Sequence, residues 1–595
     1  MLSSTKSHES SSAEGGTQAN KPYAADVSHA QTEVDVRSVA GSDEAELARM
    51  GYRQEFKREF TNLSTISFAF SIMGVASSVA TTFNTPFLLG GPSSVVWCWF
   101  LVGCPFPPLR AVDARASDTL RQGASARASV SGDRQTPHRG SFMCFCLGTS
   151  IAEIVSAYPT NGGLYSASAY LVPRKYKAIT GWVVGWLNLL GQVAGVASTE
   201  YGLAQMILSA ASLSTEGRFV ATTAQTYAVF LGLLIIHGLI NSAGTRFLAK
   251  VTQTFVFCNL GSCLAIIIAL LVTTKEKHTA SYVFTSTING SGWSSQGLVF
   301  LLGLLSVQWT MTDYDATAHI SEEVKRASIA APVAIFVAVI GTGIVGWIYN
   351  IVYVLCSGDI SRFDGSIYAP AQIIFDNVGP RGFFALWTFV CLTAFQVVAT
   401  AMQANARTFH AFSRDHGLPD RGLFARLSKQ RIPVFSVWLV AFISALMVLL
   451  SFASIVAVSA VFALCAMALD TSYVIPIALK MWFRDHPEVN YKPGPFDLGR
   501  GPLMYIVNLI AIFWTTFVVI ILALPTIMPV TAANMNYASA VTGGVMILSL
   551  IWYFAGGRKH YVSLRFTGPR NLIQEELEHA HGTVNGTEYT NEHKV

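Results

Sequence analysis

The sequence predicts an all-α membrane protein with twelve bilayer-spanning helices, and three observations carry that prediction. Of its 595 residues, 52% are apolar and only 13% are charged, a balance too apolar for an ordinary soluble enzyme. The apolar residues are gathered into runs of about 20, the length a helix needs to cross the hydrocarbon of a bilayer. Lys and Arg are concentrated in every second connection between those runs, as a fixed membrane orientation requires. The net charge of +5 is small for this length and is spread over short loops, so nucleic-acid binding is not indicated. Nine cysteines are scattered through apolar segments, and the closest pair, Cys144 and Cys146, would point to different sides of a helix; neither a disulfide framework nor a metal site is expected. No P-loop, nucleophile–base pair or cofactor fingerprint appears outside the spans, so the chain is not expected to be an enzyme or to hold a cofactor.

Along the chain, residues 1–55 are rich in Ser, Glu, Ala, Gly and Gln and show no apolar period. They are expected to form a disordered cytosolic tail, with its serines, Lys6 and Lys21 open to modification. No signal segment precedes the first span, which must itself direct insertion. That span covers 65–83, and its centre, Gly74 to Ser78, is small and polar: either a helix-packing face or a stretch of unwound backbone. The next apolar segment, 88–103, stops at Cys104 and resumes at Phe142. Residues 104–141 carry six Arg and three Asp, no Lys and little aliphatic bulk, and read as an insertion such as a retained intron. Excising them joins VVWCWFLVG to FMCFCLGTSIAEIVSAYP in one segment of about 31 residues, long enough to cross a bilayer at a tilt. As two separate spans, the flanks would instead add a crossing and invert every later loop.

Further spans are expected at 178–211, 222–241, 247–273, 298–314, 330–356, 382–404, 433–451, 455–479, 502–528 and 538–555, completing a twelve-helix domain over 56–570. With the N-terminus inside, the inner loops hold 17 Lys and Arg, in the clusters 174–177, 246–250, 325–326, 407–431 and 480–500. The outer loops hold five, Arg218, Lys275, Lys277, Arg362 and Arg381. Both termini, including a tail over 571–595, are therefore expected in the cytosol. Asn289-Gly290-Ser291 then falls outside as a glycosylation acceptor, while the Asn62 and Asn585 sequons stay inside and unused.

The pattern breaks at Ser306–Ser328, SVQWTMTDYDATAHISEEVKRAS, which passes from apolar to carboxylate-bearing within a dozen residues. A helix that stops within a bilayer leaves backbone groups for protein, water or ligand to satisfy. Gln308, Thr310, Thr312, Asp313 and Asp315 should face a cavity or a neighbouring helix, so this stretch is expected to form half of a solute site. Glu200 in the third span and Asp470 in the tenth are intramembrane carboxylates, which either touch substrate or proton or serve as hydrogen-bonded structural acids. Glu153, near the inner end of the second span, suits a structural or gating ion pair.

In family order across residues 50–570, GGPSSVVWCWFLVG, IAEIVSAYPTNGGLY, GQVAGVASTEYGLAQMI, YDATAHISEEVKRAS, NARTFHAFSRDHGLP and ALDTSYVIPIALK with YKPGPFDLGR resemble the amino acid–polyamine–organocation transporter superfamily, and within it the fungal GABA/choline permease group. The resemblance implies a LeuT-like core of two inverted five-helix repeats, with helices 1 and 6 broken and two extra helices outside. It places Gly74, Val75, Ala76 and Ser77 at the first break and an unwound Gln308, Trp309, Thr310 and Met311 at the second, as substrate-binding residues. Half-helix N-termini would receive a substrate carboxylate, and exposed carbonyls and acids its cationic end. Trp309 either covers an amine by cation–π attraction or packs as an ordinary aromatic.

The family's Tyr/Phe-Asp/Glu pair is usually preceded by glycine; here Asp313 precedes Tyr314-Asp315. Such acids either share a proton or, as preferred for Asp315, start the intracellular half-helix. Glu322 and Glu323, beside Lys325 and Arg326, are expected to be solvated or gate-forming. Asn259 stands where some proton-coupled relatives carry a lysine, which argues against lysine-based coupling.

The function implied is secondary active import of a small zwitterion or cation, such as GABA, choline or a related amino acid, by alternating access across the plasma membrane. Moving one positive charge inward is worth about 2.3 kcal/mol per 100 mV, roughly a fifty-fold gradient. A proton carried with neutral GABA would supply that charge, whereas choline carries its own. Protons, the lipid bilayer and ubiquitin-ligase adaptors on the tails are the expected partners. A vacuolar amino-acid or polyamine exchanger, a nutrient receptor without flux, and a chain inactivated by residues 104–141 are the alternatives.

Overall fold

The computed structural model describes residues 43–103, 143–363 and 368–561 apart from 53, 454, 490 and 533. The expectations for the tail before Asp43, for the insertion 104–141 and for the tail 571–595 lie outside the described residues. Among the described residues, ten helices are long and apolar enough to cross a membrane, and three shorter apolar helices join them: Pro92–Gly103, Met143–Ala157 and Gln296–Thr310. The long helices turn Phe257, Val272, Phe513 and Leu548 outward. Surface of that kind is covered at low cost only by lipid or by another apolar face.

Two departures from the sequence expectation have local causes. Asp43–Arg49 is helical, although it falls in the stretch expected to be disordered; Leu47 and Met50 are buried and Asp43 lies 3.7 Å from Arg58, which ties this segment to the domain. The eighth span, expected at 382–404, belongs to a helix running Ala369–Arg414. It is bent at Gly379, whose φ of 81° only glycine adopts freely, just before Pro380, which has no N–H to donate. Asn289, expected as a glycosylation acceptor, is exposed in a turn, where its Nδ2 donates to the Trp293 carbonyl at 2.6 Å and its Oδ1 accepts from the Ser291 hydroxyl at 3.1 Å.

Lys177–Ser214 is the central element. Where Gly191 faces the Ile455–Phe483 helix, a Cβ would lie 2.6 Å from Leu469 Cγ; small residues of this kind let helix backbones approach within a membrane. Close approach also fixes the two short helices either side of the insertion. Both lie antiparallel against Ala327–Leu355: the Trp99 indole donates to the Gly343 carbonyl at 3.0 Å and packs on Gly346, Gly148 meets Val339, and the Ser156 hydroxyl donates to the Ser328 carbonyl at 2.8 Å. Trp99 and Ser156 are 57 residues apart, yet their partners Gly346 and Ser328 are 18 apart. Leaving out the 38 residues of 104–141 makes the first separation 19.

Candidate functional site

Two helices break where the sequence is small or polar. Asn62–Met73 is opened by Thr61, whose hydroxyl accepts from Ser64 N–H, and it stops at Gly74, where φ is +43°. Any Cβ there would lie 2.1 Å from Val397 Cγ2, so glycine is required by backbone and by space. The chain resumes as Val75–Thr82. Of the expected unwound residues, therefore, only Gly74 leaves the helix, while Val75, Ala76 and Ser77 form the first turn of the next one. The freed carbonyls are satisfied locally: the Ser77 hydroxyl donates to Gly74 O at 3.0 Å, and the Ser78 hydroxyl to Met73 O at 2.9 Å.

Asn259, from Phe255–Thr273, bridges the break, accepting from Ala76 N–H at 3.3 Å and donating to Phe70 O at 3.3 Å. Asn259→Ala would leave both backbone groups without these partners, at a cost of about 1–3 kcal/mol for each unsatisfied group. The expected result is a lower melting temperature for the purified protein, with Asn259→Asp, which keeps the acceptor alone, in between. Equal melting temperatures would show that the bridge carries no stability.

The second break lies later than expected. Gln308, Trp309 and Thr310 end the helix Leu304–Thr310, because Met311 N–H still reaches Val307 O at 2.8 Å. The irregular backbone is Met311 to Tyr314, followed by the short helix Ala316–His319 with Asp315 at its start. Asp313 holds φ +61°, a conformation in which glycine is unstrained and Asp is among the better tolerated alternatives. The Thr82 and Ser306 hydroxyls, 2.8 Å apart, tie the two broken helices together.

Between the breaks is a cleft lined by Met73, Ser78, Thr199, Trp309, Thr310, Thr312 and Asp313, with Gly195, Val397 and Cys465 among its apolar walls. It encloses about 340 Å³ of empty space, opening included, which suits a small solute rather than a peptide. Among the described residues, Asp313 is the one carboxylate in the lining, and no Lys, Arg or His is present there. Its Oδ1 is buried without a hydrogen-bond partner, while its backbone N–H donates to the Tyr473 hydroxyl at 3.2 Å. The Trp309 indole N–H donates to the Ser198 hydroxyl at 3.3 Å and its ring lies 5.1 Å from Phe462.

The other expected acids point elsewhere. Gln308 donates to Asp470 Oδ2 at 2.9 Å, and Glu200 faces His237; none of these residues lines the cleft. His237, which the sequence reading passed over, could have been found as a lone histidine inside an apolar span. Asp315 takes the Tyr473 hydroxyl at 2.5 Å, Asn188 Nδ2 at 3.2 Å and His319 Nε2 at 3.2 Å, and no hydrogen bond joins it to the Asp313 carboxylate among the described residues.

A layer of buried ion pairs closes one end of the bundle. Glu323 Oε1 accepts from Arg407 Nε at 2.7 Å, Arg414 grips Glu322 at 3.2 and 3.4 Å and reaches Glu55 at 3.1 Å, and Lys480 pairs with Glu153. Glu322 and Glu323, for which solvated charges were one expectation, are fully buried, and Arg407 and Lys480 are buried partners rather than loop charges. The segment before the first helix crosses this layer: Gln54 donates to Glu322 O at 2.7 Å, Phe60 N–H to Glu323 O at 3.0 Å, and Lys325 N–H to Phe60 O at 3.1 Å. Beside it, Asp415 accepts from Tyr52 and Tyr165 at 3.0 and 3.1 Å; burial pushes its carboxyl up, against the opposing pull of Arg414 and the two phenols.

Residues 140–547 match the family model described as amino acid permease. An uncharacterized amino-acid permease of Schizosaccharomyces pombe is 40% identical over 93% of this chain and 93% of its own length. Amino-acid permease 2 of Neurospora crassa is 35% identical over 90% of this chain and 91% of its own. The GABA-specific permease of Saccharomyces cerevisiae is 30% identical, covering 87% and 85%.

Proposed function

The chain belongs to the amino acid permease family, and from that premise we propose that it is a secondary transporter importing a small amino-acid-like or amine solute, with GABA and choline as the leading examples, together with protons. The observation that carries this reading is the cleft between two broken helices, which offers one carboxylate oxygen without a hydrogen-bond partner and, among the described residues, no Lys, Arg or His. An ammonium group fits beside Asp313 and the Trp309 ring, and a solute carboxylate fits the opening turn of Val75–Thr82, where the helix dipole is positive. The ion-paired layer at Glu322 and Glu323 serves as the inner gate, on the cytosolic side of the plasma membrane, with both termini on that side. This reading counts twelve crossings: the ten long helices, Gln296–Thr310 continued through the break, and Pro92–Gly103 with Met143–Ala157 taken as one interrupted helix. The order of breaks in the first and sixth fits the 5+5 inverted repeat.

The near-equal register of 19 and 18 residues supports one second helix interrupted by 104–141. The family match beginning at residue 140 agrees with that reading. A chain lacking 104–141 is therefore expected to reach the cell surface and to transport at least as well as the full chain. Loss of uptake on deletion, at equal surface abundance, would show that the insertion is a working part of the protein.

The deciding experiment is uptake of labelled GABA, choline, basic and neutral amino acids and polyamines in a transport-deficient host, with and without a proton gradient. Saturable uptake of amine-bearing solutes that collapses with the gradient is the expected outcome. Binding without flux in liposomes would favour a receptor instead.

A further inference from the structure

We infer that Glu200 and His237 form the proton-carrying site of this transporter, a buried pair that holds one proton between carboxylate and imidazole. The inference rests on the proton-coupled reading above and adds where the proton sits. Both side chains are fully buried, on Lys177–Ser214 and Thr223–Asn241. His237 Nδ1 lies 3.1 and 2.9 Å from the two Glu200 oxygens, and Nε2 lies 2.9 Å from the Phe395 carbonyl.

A carbonyl only accepts, so Nε2 carries a hydrogen and donates it. The remaining nitrogen faces the carboxylate. With a neutral ring, Nδ1 presents a lone pair, and the contact is favourable only when Glu200 carries a proton. With Nδ1 protonated, the pair is an imidazolium and a carboxylate. Either loaded form holds one transferable proton and has no net charge; unloading passes that proton to water and leaves the carboxylate bare.

Among the described residues, no third charged group forms an ion pair or hydrogen bond with either side chain. Of the titratable groups, Tyr201 directly follows Glu200 and Cys391 lies one turn before Phe395; the Ile455–Phe483 helix, which also packs against Lys177–Ser214, carries Cys465, Asp470 and Tyr473, of which Asp470 is taken by Gln308. The facing helix Val434–Val448 and the segment Val75–Thr82 contribute no titratable side chain. The pair is also joined to the cleft: Glu200 follows Thr199, and Phe395, whose ring lies 4.1 Å from the imidazole, is two residues from Val397, the contact of Gly74.

The second buried pair of this kind, Asp315 with His319, differs in its donors. His319 spans the Asn161 carbonyl and Asp315, each at 3.2 Å, but Asp315 also takes Tyr473 and Asn188. Two donors that do not depend on the histidine's protonation, Tyr473 and Asn188, suit a permanent carboxylate, whereas Glu200 has His237 alone among the described residues.

The test uses the full chain in cells, following solute-induced alkalinisation of the medium and counterflow of labelled solute at equal pH. In Glu200→Gln the amide donates to Nδ1 of a neutral ring, mimicking a loaded pair that never unloads. Counterflow should stay near the parent rate, while alkalinisation disappears and accumulation loses the part the proton drives, about fifty-fold per 100 mV for a neutral solute. His237→Asn should act in the same direction and carries the test if Glu200→Gln fails to reach the membrane. A coupled parent with equally coupled variants overturns this site and leaves proton coupling standing. A parent that shows no alkalinisation overturns both, and loss of counterflow at normal surface abundance would make Glu200 a solute ligand instead.

Discussion

Asp313→Asn and Asp313→Gly are each expected to raise the KM for amine-bearing solutes roughly 10- to 150-fold, the loss of one charged hydrogen bond of about 1.5–3 kcal/mol. The two variants separate charge from backbone. At φ +61° glycine is unstrained, so Asp313→Gly should raise the melting temperature while lowering affinity. Asp313→Asn keeps the shape and a residue tolerated in this conformation, and should change stability little. Opposite signs in binding and stability cannot come from misfolding. Competition by solutes with and without an ammonium group provides the check: an equal loss for both kinds, or no loss for either, would remove Asp313 as the amine's partner.

In the sequence Asp313 stands out only as an acid where the family resemblance leads one to expect glycine. The left-handed backbone that explains the usual glycine is visible in the structure alone, because side-chain direction over an irregular stretch such as Met311–Tyr314 follows neither the 3.6-residue nor the 2-residue period. The long apolar helices are easier to read, since an apolar run of some 20 residues satisfies its own backbone in lipid only as a helix. The breaks are readable to within a few residues, and the shift from Gln308–Met311 to Met311–Tyr314 reflects one further backbone bond, Met311 to Val307. Partners of the buried acids cannot be read at all. Glu200 finds His237 37 residues away, Gln308 finds Asp470 162 away, and Glu153 finds Lys480 327 away. No local pattern encodes such pairs; they exist because helix packing brings them together.

That packing also sets what each pair does. Asn259 satisfies backbone at the first break in whichever state the break persists, whereas the Glu322 and Glu323 pairs join the loop after the second break to Ala369–Arg414 and must part if that end opens. In the proposed reading this layer is the inner gate, and a gate built from buried charges is stable when paired and costly when half-paired, which makes it sensitive to a single neutralisation.

Glu323→Gln is accordingly expected to open the end that this layer closes. Arg407 would keep its charge with only neutral acceptors, the amide oxygen at position 323 and the Gln403 carbonyl at 3.4 Å, and breaking a buried pair from one side costs about 3–5 kcal/mol. That cost falls on the conformation that buries Arg407 and is relieved wherever water reaches the guanidinium. The equilibrium between closed and open inner ends should therefore move by roughly 150-fold or more. Cys465, which lines the cleft, reports the change: its labelling by a thiol reagent applied from the cytosolic face should rise sharply in Glu323→Gln. The double variant Glu323→Gln with Arg407→Met removes both charges, leaves no unpaired ion in the closed state, and should return labelling toward the parent level. Unchanged labelling in the single variant would mean that this pair does not hold the end shut. Equally high labelling in single and double variants would assign the closure to the geometry of Glu323 rather than to its charge.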